Sequence, residues 1–243
     1  MAGFTLTPLI GYSCLTVEFN SEEIVMEVDV FWSFRSPWSY LATKRLRALQ
    51  DKYDLSVNFR PVYPIAIRTE DFFNQVNPLW VSYFMTDLQR VAAFLELPLT
   101  WPKPDPVNQL NENGKMKTAE DQPHIYRLTK LGIVAQDLGK GIEFADEVSS
   151  LIWGGTQNWH EGDHLSQAAN RSGLDLAEMD AVVMSDSEGL EAKIQNNQLD
   201  HEKAGHWGVP TFAFKGEGFF GQDRLDVLLW RLKQEGLIER TPS

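Results

Sequence analysis

The stretch from Ile24 to Leu49 limits most tightly what this chain can fold into. Ile24-Val25-Met26-Glu27-Val28-Asp29-Val30-Phe31-Trp32 is rich in β-branched and aromatic residues, the composition of a strand. Leu41 to Leu49 carries apolar residues three and four apart, the spacing of a helix. Between them Ser36 precedes Pro37. A serine hydroxyl accepts from the free N–H groups of a first helical turn, and proline suits the first helical position because its missing N–H would be an orphan there. Ser36 is therefore placed at the N-terminus of a helix over 37–52, directly after a strand. Unpaired N–H groups and the positive end of the helix dipole converge at such a point. They stabilise an anion and depress the pKa of a thiol. On the local pattern alone, Ser36 is either a helix cap or a residue that meets an anion.

Leu55 to Val62 reads as a second strand, which makes a βαβ unit with a right-handed crossover. Tyr63 to Asn77 is a loop, and from Leu79 the pattern is helical as far as Pro98. Trp101 to Pro106 is a proline-rich connector. Helices are expected over 117–131, 141–153, 163–172, 176–185 and 187–201, with Gly173 ending one and Asp175 capping the next. Near the C-terminus comes Gly205-His206-Trp207-Gly208-Val209-Pro210-Thr211-Phe212-Ala213-Phe214, followed by Gly218-Phe219-Phe220-Gly221-Gln222-Asp223-Arg224-Leu225. Here strand patterning returns. Pro210 just before it points to a fixed turn of the kind a cis bond makes. Phe219-Phe220 is a short last strand and 223–234 the last helix.

Composition narrows the function classes. A net charge of −12 argues against a nucleic-acid partner, which calls for basic patches. No apolar run approaches a membrane span. Met1 to Glu23 lacks a basic start and a long apolar core, so no secretory signal is expected there. The one cysteine, Cys14, excludes a disulfide or a Cys-x-x-Cys redox site within this sequence and fits a cytoplasmic setting.

Together the two stretches resemble the thioredoxin-like superfamily. In particular they resemble the DsbA-like branch that contains 2-hydroxychromene-2-carboxylate isomerase and kappa-class glutathione transferases. That branch carries Ser-Pro-aromatic-Ser-aromatic-Leu, here Ser36 to Leu41, where oxidoreductases carry Cys-x-x-Cys. It also carries Gly-Val-Pro-Thr-Phe, here Gly208 to Phe212, and a Gly-Gln-Asp-Arg-Leu motif, here Gly221 to Leu225. The resemblance implies an α/β fold with a thioredoxin-like core interrupted by an all-helical insertion. The core would comprise 24–66 and 204–240, the insertion 67–203, and 1–23 would be an N-terminal extension.

The resemblance further implies glutathione as cofactor, with Ser36 donating to its thiolate. Val209 and cis-Pro210 would pair with its backbone. Gln222, Asp223 and Arg224 would hold its γ-glutamyl end, and Asn77 or Asn74 would contact it from the insertion. Trp32, Trp38, Tyr63, Trp80 and Phe84 are the candidate walls for a hydrophobic aromatic substrate. The activity implied is cis–trans isomerisation, or transfer if the product keeps the glutathione, and the family often forms homodimers. A redox-inactive binding or chaperone-like protein is the alternative.

The sequence departs from the family pattern. Ser33 stands where an acidic residue is frequent and Arg35 where an apolar one is. Trp80 aligns with a lysine that meets the glycyl end of glutathione, leaving Arg35 or Arg68 as substitute cations. His206 is a candidate proton carrier beside the proline turn. His160-Glu161-Gly162-Asp163-His164 matches a zinc-protease pattern literally, but Gly162 and Asp163 start a helix after the motif, so the two histidines do not share a face. No metal is expected.

Overall fold

The computed structural model describes residues 25–69 and 71–241; the proposed extension over 1–23 lies outside them. The central strand is β1 (Met26–Trp32). It pairs in parallel with β2 (Leu55–Pro61), Met26 facing Leu55, across the helix α1 (Pro37–Lys52). On its other edge β5 (Thr211–Phe214) runs antiparallel, Val30 facing Phe212, and β6 (Glu217–Phe220) pairs with β5 through the Lys215-Gly216 turn. The sheet order is β2-β1-β5-β6.

β1 is covered on both faces, as a central strand beside a parallel partner should be. Period 2 puts Val28, Val30 and Trp32 on one face, and all three are buried. Phe31 points the other way and is buried as well. Trp32 is therefore core rather than pocket wall. Its indole Nε1 donates to Thr43 Oγ1 at 3.1 Å, and its ring packs on Phe34 and Phe59.

The insertion between β2 and β5 holds α2 (Ile65–Arg68), α3 (Phe72–Gln75) and α4 (Pro78–Phe94). After a hairpin come α5 (Ile125–Asp137), α6 (Gly141–Trp153), α7 (His164–Arg171), α8 (Leu176–Ser185) and α9 (Ser187–Lys203). It is not all-helical. β3 (Gln109–Glu112) and β4 (Lys115–Thr118) form an antiparallel hairpin where a helix from 117 was expected. Asn113 and Gly114 at its tip both have positive φ, the pairing a two-residue hairpin turn selects. α2 and α3 likewise occupy the segment expected to be loop.

α9 is bolted to the sheet by polar side chains. Asn197 Oδ1 accepts from Arg60, Asn197 Nδ2 donates to Pro61 O at 3.1 Å, and the His201 ring stacks on Phe31 at 4.9 Å. A 3₁₀ turn, Gln222–Arg224, precedes the last helix, α10 (Leu225–Gln234), so the helix starts two residues later than expected. No helix among the described residues is long and apolar enough to cross a membrane.

Candidate active site

Ser36 caps α1: its Oγ accepts from Ser39 N–H at 3.2 Å, with Pro37 at the first helical position. The same hydroxyl donates to Val209 O at 3.1 Å. The Val209–Pro210 peptide bond is cis. One hydroxyl thus joins the two stretches singled out in the sequence, 173 residues apart. The N–H groups of Trp38 and Val209 make no hydrogen bond among the described residues. The free Trp38 N–H and the Ser36 hydroxyl therefore meet at the positive end of a 16-residue helix, with the Val209 carbonyl against them. This donor set fits an anion or a thiolate and needs no charged side chain to do so.

The 222–224 turn adjoins this helix through a residue that sequence reasoning missed. Arg45 Nη2 donates to Gln222 O at 2.8 Å and also to Gln222 Oε1. With Oε1 so engaged, the Gln222 amide nitrogen is left without a partner among the described residues and can donate to a ligand. Asp223 and Arg224 are exposed and pair with each other at 3.1 Å. No local sequence signal marks Arg45, because its partner lies 177 residues away.

Trp38, Phe84 and Trp80 come together: Trp38 meets Phe84 edge-on at 5.6 Å and Trp80 stacks on Phe84 at 5.2 Å. Tyr63 does not join them. It is buried, its hydroxyl donates to Glu191 at 2.5 Å, and its ring meets Tyr126. Burial first, and then Glu191, push its hydroxyl pKa far up, so it serves as a neutral donor in the core. Asn77 is engaged as the cap of α4, accepting from Leu79 N–H at 2.9 Å, while Asn74 holds Met116 of the hairpin.

Of the two substitute cations, Arg35 is committed. It forks onto Asp105 with two bonds of 3.0 Å and reaches Gln109 at 2.8 Å. Arg68 has no carboxylate partner among the described residues; it donates to Tyr63 O and to Trp207 O at 2.7 and 2.8 Å. A cavity of about 680 Å³ lies between α2–α3 and the hairpin. Phe73 and Gln109, which both touch Arg35, form part of its wall, and Ser36 does not. His206 Nδ1 accepts from Gly208 N–H at 2.8 Å, and its ring lies on Phe220. His160 sits in the turn before α7, and no group of three or more His, Cys, Asp or Glu side chains suited to a metal exists among the described residues.

A family model described as a DSBA-like thioredoxin domain matches residues 27–233. The chain belongs to the DSBA-like thioredoxin family. Within that family it is similar to the 2-hydroxychromene-2-carboxylate isomerase of Pseudomonas sp. (strain C18). The two are 26% identical over 211 residues, 85% of this chain and 90% of that one. Its fold is similar to that of a solved 2-hydroxychromene-2-carboxylate isomerase, with a TM-score of 0.64, 21% identity and coverage of 86% and 96% of the two chains. It is also similar in fold to the cytosolic disulfide reductase DsbM from Pseudomonas aeruginosa with GSH. There the TM-score is 0.56 and the identity 16%, over 86% and 98% of the chains. In this DSBA-like chain a serine hydroxyl occupies the N-terminus of α1 against the cis-proline loop.

One titration in this fold has a defined sign. Burial first, and then the Arg68 guanidinium, lower the His201 pKa to about 4. In the unfolded chain this group protonates near pH 6.5. The unfolded state therefore binds the extra proton first as pH falls, and His201 costs stability progressively from about pH 6.5 down to about 4. Chemical-denaturation midpoints should fall over this window, and less steeply in His201→Phe. Equal slopes in the two proteins would contradict the assignment.

Proposed function

We propose that this protein is a glutathione-dependent isomerase acting on a conjugated, aromatic-derived acid, in the manner of 2-hydroxychromene-2-carboxylate isomerase. The observation that carries the reading is the Ser36 hydroxyl, set at the α1 N-terminus and 3.1 Å from Val209 O. When bound, glutathione supplies a thiolate that adds reversibly to a conjugated double bond, so that the bond can rotate before the thiol leaves.

The chain's own residues then have distinct tasks. Ser36 turns its hydroxyl from Val209 O to the sulfur and, with Trp38 N–H and the helix dipole, favours the ionised thiol. Val209 N–H and C=O take the peptide part of the cofactor as an added strand would. The free amide nitrogen of Gln222 and the carboxylate of Asp223 meet the carboxylate and ammonium of the γ-glutamyl end. Trp38, Phe84 and Trp80 form an apolar wall that shields the reacting carbon from water. If the product leaves with the glutathione, the same site is a kappa-type transferase. A homodimer and a cytoplasmic setting complete the reading by resemblance.

The second reading, a redox-inactive binding protein, is favoured by one observation. Trp80 stacks on Phe84 where a lysine would face the glycyl carboxylate, and Arg35 is committed to Asp105. The deciding experiment follows interconversion of 2-hydroxychromene-2-carboxylate by absorbance, with and without reduced glutathione. Turnover that requires glutathione is expected. Turnover that does not, or none at all, contradicts the proposal.

A further inference from the structure

We propose that His201, on α9 of the insertion, is a positioning residue that aims the Val209 N–H at the ligand by holding the other end of the same peptide unit. The inference rests on reading the Ser36 helix and the cis-proline loop as the glutathione site.

His201 is fully buried, and its Nε2 lies 2.9 Å from Gly208 O. A carbonyl only accepts, so Nε2 carries the hydrogen and Nδ1 is left as an acceptor. Nδ1 is buried with no partner. As packing alone this is a poor arrangement, since a buried orphan acceptor is costly. A phenyl ring would cover Phe31 equally well with no orphan. What the imidazole adds is the N–H to Gly208.

Gly208 C=O and Val209 N–H belong to one planar trans unit, so oxygen and hydrogen point in opposite directions. Fixing the oxygen on the α9 side aims the hydrogen away from α9. Thr211 Oγ1 donates to the same oxygen at 2.6 Å. The neighbouring carbonyls are held too: Trp207 O by Arg68 at 2.8 Å and Val209 O by Ser36 at 3.1 Å. On the other side of the residue, Gly208 N–H donates to His206 Nδ1 at 2.8 Å. A Cβ at Gly208 would press on the Phe220 ring, a close approach that glycine avoids.

The test compares His201→Phe, which keeps the stacking ring and removes the donor, with His201→Gln, which keeps a donor. Two measurements are made on each: hydrogen exchange of loop amides 205–212 without ligand, and the dissociation constant for reduced glutathione. His201→Phe is expected to exchange faster in this loop than wild type, with the rest of the sheet unchanged. It is also expected to bind glutathione about tenfold more weakly, the loss of roughly one well-formed hydrogen bond. His201→Gln should restore both. Wild-type loop protection in His201→Phe overturns the proposal, and so does a His201→Gln protein that behaves as His201→Phe does. The exchange arm decides the matter even if wild type fails to bind glutathione, an outcome that would sink the proposed function alone.

Discussion

Ser36→Ala is expected to reduce glutathione-dependent kcat/KM by about 10²–10³, the usual cost of removing one donor from a developing or bound anion. Among the described residues the hydroxyl is the only side-chain donor placed at the α1 N-terminus and the cis-proline loop together. Its loss leaves the Trp38 and Val209 N–H groups and the dipole, so a residual rate remains. The same change also removes a helix cap, which costs about 1 kcal/mol and leaves the protein folded. The two effects separate cleanly. Ser36→Thr keeps a hydroxyl and should recover most of the activity, whereas a merely capping serine would show a small drop in melting temperature and an unchanged rate. Steady-state kinetics of the three proteins well below their melting temperatures distinguish these cases.

Trp32→Ala carries the largest expected stability loss. Trp32 is 1% exposed, lies on the core face of β1 with Val28 and Val30, and bonds Thr43 of α1. Replacing such a ring by a methyl group costs about 3–5 kcal/mol, because the cavity left behind collapses only in part. For a domain of this size that lowers the melting temperature by roughly 6–20 °C. Trp38→Ala, at the aromatic cluster beside Ser36, should cost far less stability and raise KM for the aromatic substrate. A Trp32→Ala protein with a normal melting temperature and an altered KM would return Trp32 to the pocket wall.

The contrast between these two tryptophans shows what was legible in the sequence. The strand–Ser–Pro–helix pattern is local, and so is the proline before β5; both emerged where the residues placed them. Period 2 already puts Trp32 in register with Val28 and Val30, so its burial followed from alternation and not from its proximity to Ser36. The β3–β4 hairpin was hidden for a different reason. Its strands, Gln109-Leu-Asn-Glu and Lys115-Met-Lys-Thr, are polar and exposed and show no apolar alternation. Only Asn113-Gly114 signalled the turn. Helical spacing in α4 does not report its burial: Leu88 and Ala92 are buried, but Tyr83 and Phe94 are 61% and 83% exposed. Arg45 and His201 had no local signal at all. Each acts on a partner brought near only by the finished fold: Arg45 on the turn at Gln222, and His201 on the loop carbonyl at Gly208.

The central claim is that Ser36 and the α1 N-terminus hold a thiol as its anion. The most direct measurement is a pH titration of the thiolate absorbance of bound reduced glutathione, in wild type and in Ser36→Ala, with binding followed by calorimetry on the same samples. The bound thiol should ionise at distinctly lower pH than free glutathione in wild type, and should move back toward the free value in Ser36→Ala. A bound thiol that titrates like the free one, or no binding at millimolar glutathione, would contradict the account.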